Sequence, residues 1–156
     1  MKHILVTTDF SEASESAFVY AMEQAQLKEK GEAKITLLKV IDVLGPANIT
    51  FEYGLAISDK KGLLEKLQRQ ASEKIEELAR KHFSGISIET AVLEPEKSVY
   101  QEIIDFAREN TVDLIVIATH GRTGIKYLLL GSVAERIVRH SPCPVLVIPQ
   151  PKKREV

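Results

Sequence analysis

The most restrictive feature of this chain is a pair of short runs that are apolar on consecutive residues: Ile4-Leu5-Val6 near the start and Leu114–Ala118 far downstream. A strand with apolar residues on both faces must be covered on both faces, and that arrangement belongs to parallel sheets flanked by helices. Between these runs, short β-rich stretches alternate with longer stretches of helical period, the pattern of an α/β fold.

Along the chain, His3–Thr8 reads as the first strand and Ser11–Lys30 as a helix. Ala13, Ala17, Ala21 and Ala25 fall four apart and give that helix a smooth face for a sheet. Gly31 is placed to end it. Ile35–Ile41 is the second strand, and Asp42–Gly62, with three glycines and Pro46, reads as a long loop that still carries Phe51, Tyr53, Leu55 and Ile57. A helix over Leu63–Phe83 follows, with Leu64, Leu67, Ala71, Ile75 and Leu78 at helical spacing. Ile86–Leu93 alternates apolar and polar residues, as a half-exposed edge strand does. Ser98–Glu109 is a helix burying Val99, Ile103 and Phe106; Asp113–Ala118 is the fourth strand, Thr119–Leu130 a loop, Ser132–His140 a helix and Val145–Ile148 the last strand.

Five strands and four helices in this order give a single doubly wound, five-stranded parallel sheet. Putting the two-face-apolar runs in the middle and the alternating strand at an edge gives the order 3-2-1-4-5. The winding then reverses between strands one and four, and ligands bind at such a reversal, beyond the carboxyl ends of the strands. Those ends are Thr7-Thr8-Asp9 and Ala118-Thr119-His120-Gly121. The 156 residues fit one domain, 1–150, with a tail over 151–156. Val145–Ile148 is wholly apolar yet lies at an edge, so it is expected either to pair antiparallel with a second copy or to be covered by a loop of its own chain.

Composition narrows the partners. A net charge of −1 and a single short basic run, Lys152–Arg154, argue against nucleic acid. No apolar run has spanning length, and the first residues turn acidic too soon for a secretory signal, so no membrane and a cytoplasmic location are expected. Cys143 is the one cysteine, and a packing role suits it better than a reactive one.

The loop after strand four carries the chemistry. Gly121, Gly124 and Gly131-Ser132 sit between a buried strand and a helix, where backbone N–H groups and a helix dipole can hold phosphates. Arg122 and Lys126 either add charge there or are simply solvated. The bland alternatives stand beside this reading: Ser132 and Glu135 have capping-box spacing, as do Asp9 and Glu12.

Over nearly its whole length the chain resembles the universal stress protein family. The resemblance rests on Gly121, nine residues, Gly131 and Ser132, on TTDFSE with Asp9, on LLKVID with Val40, and on SPCPVLVIP. The family's signature begins with a glycine where this chain has Ala118, a small departure. The resemblance implies an adenine nucleotide alpha hydrolase-like fold binding ATP or AMP. Thr7, Thr8 and Asp9 would lie near the ribose and the phosphate-bound Mg²⁺ or Mn²⁺, and the backbone of Val40 at the adenine. Ala118, His120 and Gly121 would line the nucleotide, His120 either touching it or packing the loop, and Gly131, Ser132 and Val133 would hold phosphate. It further implies a homodimer in stress response or signalling with at most slow ATP hydrolysis. A dimeric scaffold that binds no nucleotide, and an enzyme acting on ATP, are the alternatives.

Overall fold

A computed structural model describes residues 2–27, 32–42, 60–119 and 130–149. Its elements run β1 (Lys2–Thr7), α1 (Glu12–Gln26), β2 (Ala33–Val40), α2 (Lys60–His82), β3 (Ile88–Leu93), α3 (Val99–Glu109), β4 (Leu114–Ala118), α4 (Ser132–His140) and β5 (Val145–Ile148). All strand pairs are parallel, and the sheet order is β3-β2-β1-β4-β5, as the sequence pattern implies.

Two hydrophobic layers cover the sheet. On one face Ala17, Phe18, Ala21 and Ala25 of α1 and Ile75, Leu78 and Ala79 of α2 pack on Ile4, Val6, Ile35, Leu37 and Val116. On the other, Ile103 and Ala107 of α3 and Ala134 and Ile137 of α4 pack on Leu5, Leu38, Val40, Ile115 and Ile117. The alanine stripe is buried throughout and lets α1 sit close to the sheet. In α3 the buried positions are Ile103, Ile104 and Ala107, while Val99 and Phe106 are only half-buried. Among the described residues no helix is long and apolar enough to cross a membrane.

Several boundaries differ from expectation by a residue or more; strand β2, for one, begins at Ala33 rather than Ile35. Helix α1 runs to Gln26 with Leu27, 74% exposed, as its C-cap just past the apolar stripe that ends at Ala25; the expected end at Lys30 lies outside the described residues. Helix α2 begins at Lys60, so Lys60–Gly62 belong to it and not to the preceding loop; residues 43–59 and Gly31 lie outside the described residues. Strand β3 begins at Ile88, after Ser87 has accepted the bond from Ile35 N.

Strand β5 is an edge strand, but its apolar run is used. Leu146 and Ile148 join the layer under α1, and Val145 and Val147 join the layer under α3 and α4. Its sheet partner is β4, so the outer backbone edge faces away from the ladder.

Candidate functional site

Strands β1 and β4 are neighbours, with Val6 opposite Val116, yet their following helices pack on opposite faces of the sheet. The chain therefore diverges above their carboxyl ends, and in doubly wound sheets ligands bind in the crevice at such a reversal.

On the β1 side, hydrogen bonds fix the turn. Ser11 is the N-cap of α1 and its side chain accepts from Ser14 N. This corrects the capping alternative for Asp9, which lies two residues before the cap. The Asp9 carboxylate instead accepts through Oδ1 from Ser11 N at 3.0 Å and Ser11 Oγ at 2.5 Å. Thr8 Oγ1 accepts from Phe10 N at 3.0 Å and lies 2.9 Å from Ser14 Oγ. Ser14 gives its proton to the Ser11 carbonyl at 2.7 Å, so Thr8 is the donor in the Thr8–Ser14 pair. Thr7 is buried at the last β1 position. Phe10 has φ 67°, an uncommon backbone for a bulky residue, and such outliers gather at functional turns.

On the β2 side, the ladder with β1 ends at the pair Thr7–Leu38, followed by Thr8 N donating to Leu38 O at 2.9 Å. Val40 is two residues further on, and in the ladder it pairs with Leu93 of β3. Its backbone edge toward β1 therefore lies past the point where β1 turns away. Lys39, itself buried, donates from Nζ to the Val40 carbonyl at 2.7 Å and lies 5.5 Å from the centre of the Phe10 ring; Lys74 of α2 lies 4.9 Å from that centre.

On the β4 side, Ala118 is buried opposite Ile148, and Thr119 N donates to Ile148 O at 2.8 Å. The carbonyl of Thr119 accepts from Gly131 N at 2.7 Å, so the chain leaving β4 returns to it before α4 starts. Gly131 is the N-cap, and no side-chain cap bond is made there. Ser132 is the first helical residue and so does not cap; Glu135 turns to Arg139, with Nε donating at 3.2 Å. The alternative of a capping box at Ser132 is thus not realised. The first helical N–H groups, on Ser132, Val133 and Ala134, have no acceptor within the helix, and the dipole there is positive.

His120, Gly121 and Arg122, with Gly124 and Lys126, lie outside the described residues. The remaining predicted positions, Thr7, Thr8, Asp9, Val40, Ala118, Gly131, Ser132 and Val133, all fall at this one end of the sheet. Among the described residues no group of three or more His, Cys, Asp or Glu side chains could hold a metal ion. A divalent ion here would depend on a ligand's own oxygens.

The profile described as "Universal stress protein family" matches residues 1–149. The chain belongs to the universal stress protein family. Universal stress protein MJ0531 of Methanocaldococcus jannaschii is 34% identical over 97% of this chain and 84% of its own length. The structure of MJ0577, a second universal stress protein of that organism, superposes with a TM-score of 0.76 at 30% identity, covering 97% of this chain and 98% of the other. The universal stress protein of Archaeoglobus fulgidus, solved in complex with dAMP, shares the fold at 22% identity with a TM-score of 0.62, covering 95% of this chain and 98% of its own.

Among the residues of this universal stress protein at the turn that the sequence did not point to as site residues are Phe10, Ser11 and Lys39. Ser11 had a local signal, a serine just before the alanine stripe. The other two had none. A positive φ at phenylalanine and a lysine folded back on its neighbour's carbonyl follow from packing between β1, β2 and α2.

Proposed function

We propose that this universal stress protein binds an adenine nucleotide, ATP or AMP, in the crevice between the ends of β1 and β4, with its phosphates at the start of α4. The supporting observation is that helix entrance, without a side-chain cap and fastened to the end of β4 through Gly131 N and Thr119 O. Gly131 has φ −67° and ψ 154°, which any residue can adopt. Glycine is therefore not required for the backbone, and its use fits a place where a ligand must approach closely.

In this reading Ser132 and Val133 hold phosphate through backbone N–H groups, while Gly131, whose own N–H is given to Thr119, leaves room for close approach, and His120, Gly121 and Arg122 of the preceding loop join them. Ala118 lines the pocket floor. The backbone of Val40 meets the adenine; its carbonyl has two lone pairs, so Lys39 uses only part of its capacity. Thr8 spends its hydroxyl on the turn and contributes through its backbone, while Thr7 and Asp9 face the ribose. Mg²⁺ or Mn²⁺ enters with the phosphates, with Asp9 beside it. Hydrolysis is slow at most, because phosphoryl transfer needs an oriented nucleophile and the sequence offers no convincing partner to Asp9 for that work.

The protein acts as a cytoplasmic stress-response or signalling homodimer, paired through the outer edge of β5. A monomeric mass in sedimentation at micromolar concentration would overturn the dimer.

Titration calorimetry with ATP and AMP, with and without Mg²⁺, tests the binding. Heat is expected with the natural chain and none with Gly131→Val, whose side chain blocks approach. As a poorer N-cap, valine costs about 1 kcal/mol, too little to unfold a domain. Absence of heat at millimolar nucleotide would leave the scaffold reading in place.

A further inference from the structure

We infer that Ser11 is a positioning residue that fixes the direction of the Asp9 carboxylate at the mouth of the crevice and ties it to the start of α1. The positioning stands on geometry; its consequence for affinity rests on the nucleotide reading above.

Ser11 works in both directions. Its hydroxyl donates to Asp9 Oδ1 at 2.5 Å while the same oxygen accepts from Ser14 N at 3.2 Å. Its backbone N–H adds a second bond to Asp9 Oδ1 at 3.0 Å. Its carbonyl accepts the Ser14 hydroxyl, and Ser14, buried, receives the hydroxyl of Thr8. Thus the residue after β1 and the first turn of α1 are joined through one serine. Phe10, between Asp9 and Ser11, has the left-handed backbone that folds the carboxylate back onto the Ser11 N–H and hydroxyl. Its own N–H is held by Thr8 Oγ1, and its ring lies against Lys39 and Lys74.

A carboxylate meant to meet a ribose hydroxyl or a metal-bound phosphate gains from being held in one direction before the ligand arrives. The N–H and the hydroxyl converge on the same oxygen, Oδ1, from two directions, and the hydroxyl bond to a charged acceptor strengthens that hold. An ordinary N-cap needs only the bond from Ser14 N, so the second use of the hydroxyl goes beyond capping.

Ser11→Gly separates the two roles, since glycine is nearly as good an N-cap as serine and keeps the backbone N–H but has no hydroxyl to give Asp9. Two measurements decide. In the free protein, Asp9 Hα–Hβ scalar couplings should report one rotamer in the natural chain and averaging in Ser11→Gly. In calorimetry, Ser11→Gly should weaken ATP binding by about tenfold, the scale of one hydrogen bond to a charged group. Ser11→Thr, which keeps the hydroxyl, should restore both readings. In an Asp9→Ala background, Ser11→Gly should change affinity by less than about twofold, since residues acting through one another are not additive. Unchanged couplings in Ser11→Gly, or a loss of affinity that persists without Asp9, would overturn the inference. If the natural chain takes up no adenine nucleotide, the nucleotide reading fails, and the couplings still decide whether Ser11 positions Asp9.

Discussion

Helices α3 and α4 pack on the same face of the sheet and start at the same end of it, but their entrances are built differently. At α3, Gln101 Oε1 accepts from Ser98 N at 3.4 Å and Ser98 Oγ at 2.7 Å, and the Glu102 carboxylate accepts from Glu96 N at 2.8 Å and Lys97 N at 2.7 Å. The chain's own side chains occupy that entrance. At α4 a glycine occupies the cap position, no side-chain cap bond forms, and the one acidic residue of the first turn is paired with Arg139 further along the helix. Helix N-termini draw anions of any kind, from the same chain or from outside. The difference is that Gln101 and Glu102 of the chain take up the N–H groups of Glu96, Lys97 and Ser98 at one entrance, while among the described residues no side chain does so at the other, at the end of β4.

The comparison breaks most sharply at Gly131. Gly131→Asp would supply α4 with the cap and the charge that α3 already has. Melting temperature should hold or rise slightly, because aspartate is the better N-cap by a few tenths of a kcal/mol. ATP affinity should fall by more than about a hundredfold, as a fixed carboxylate takes the place of the phosphate and repels it. Calorimetry alongside a thermal melt checks both, and a variant that binds as the natural chain does would erase the distinction between the entrances.

The converse change is smaller. Glu102→Ala removes the acceptor of two N–H groups before α3 and should cost about 1 kcal/mol in a urea titration, since the site is solvent-accessible and water replaces part of the loss. ATP affinity should stay the same. A matching loss of affinity would mean that both entrances serve the ligand.

The smallest effect concerns the exposed pair beside α3. Lys97 donates to Asp105 at 2.5 Å, and this hydrogen bond lowers the Asp105 carboxyl below its ordinary range and raises the Lys97 ammonium above its own. A lowered carboxyl supports the fold above its unfolded-chain value and loses that support as pH falls through the folded value. A raised ammonium supports it below its unfolded-chain value and loses that support as pH rises through the folded one. The pair therefore helps between about pH 4 and pH 10. Both groups are exposed, so the help is slight and screened by salt. Urea midpoints of the natural chain and Lys97→Ala should differ a little at pH 7 and converge at pH 2; a difference that persists at pH 2 would locate the effect elsewhere.

Much of the architecture was legible because the runs at 4–6 and 114–118 are apolar on both faces, as strands covered on both faces require, although the edge strand β5 shares that pattern. The alternating stretch before Leu93 announced its edge position in the same way. Helix ends were less legible. Ser132 with Glu135, and Asp9 with Glu12, have the spacing of a cap, but spacing does not say where the first helical residue falls. Gly131 and Ser11 took those positions, and that shift by one residue in one case and two in the other changes what each side chain does.

Local sequence determined the elements and their order, because burial pattern and helical period are properties of neighbouring residues. It also brought the site residues to one end of the sheet, since a parallel order places every strand's carboxyl end together. The tertiary structure alone decided how those residues are used. It stopped β1 short of Val40, bent Phe10 into a left-handed backbone, turned Lys39 onto a carbonyl and joined Gly131 to Thr119. The first and last are contacts between separate segments, while the Phe10 and Lys39 conformations combine bonds to near neighbours with ring contacts that bring β1, β2 and α2 together, and only the folded chain decides that combination.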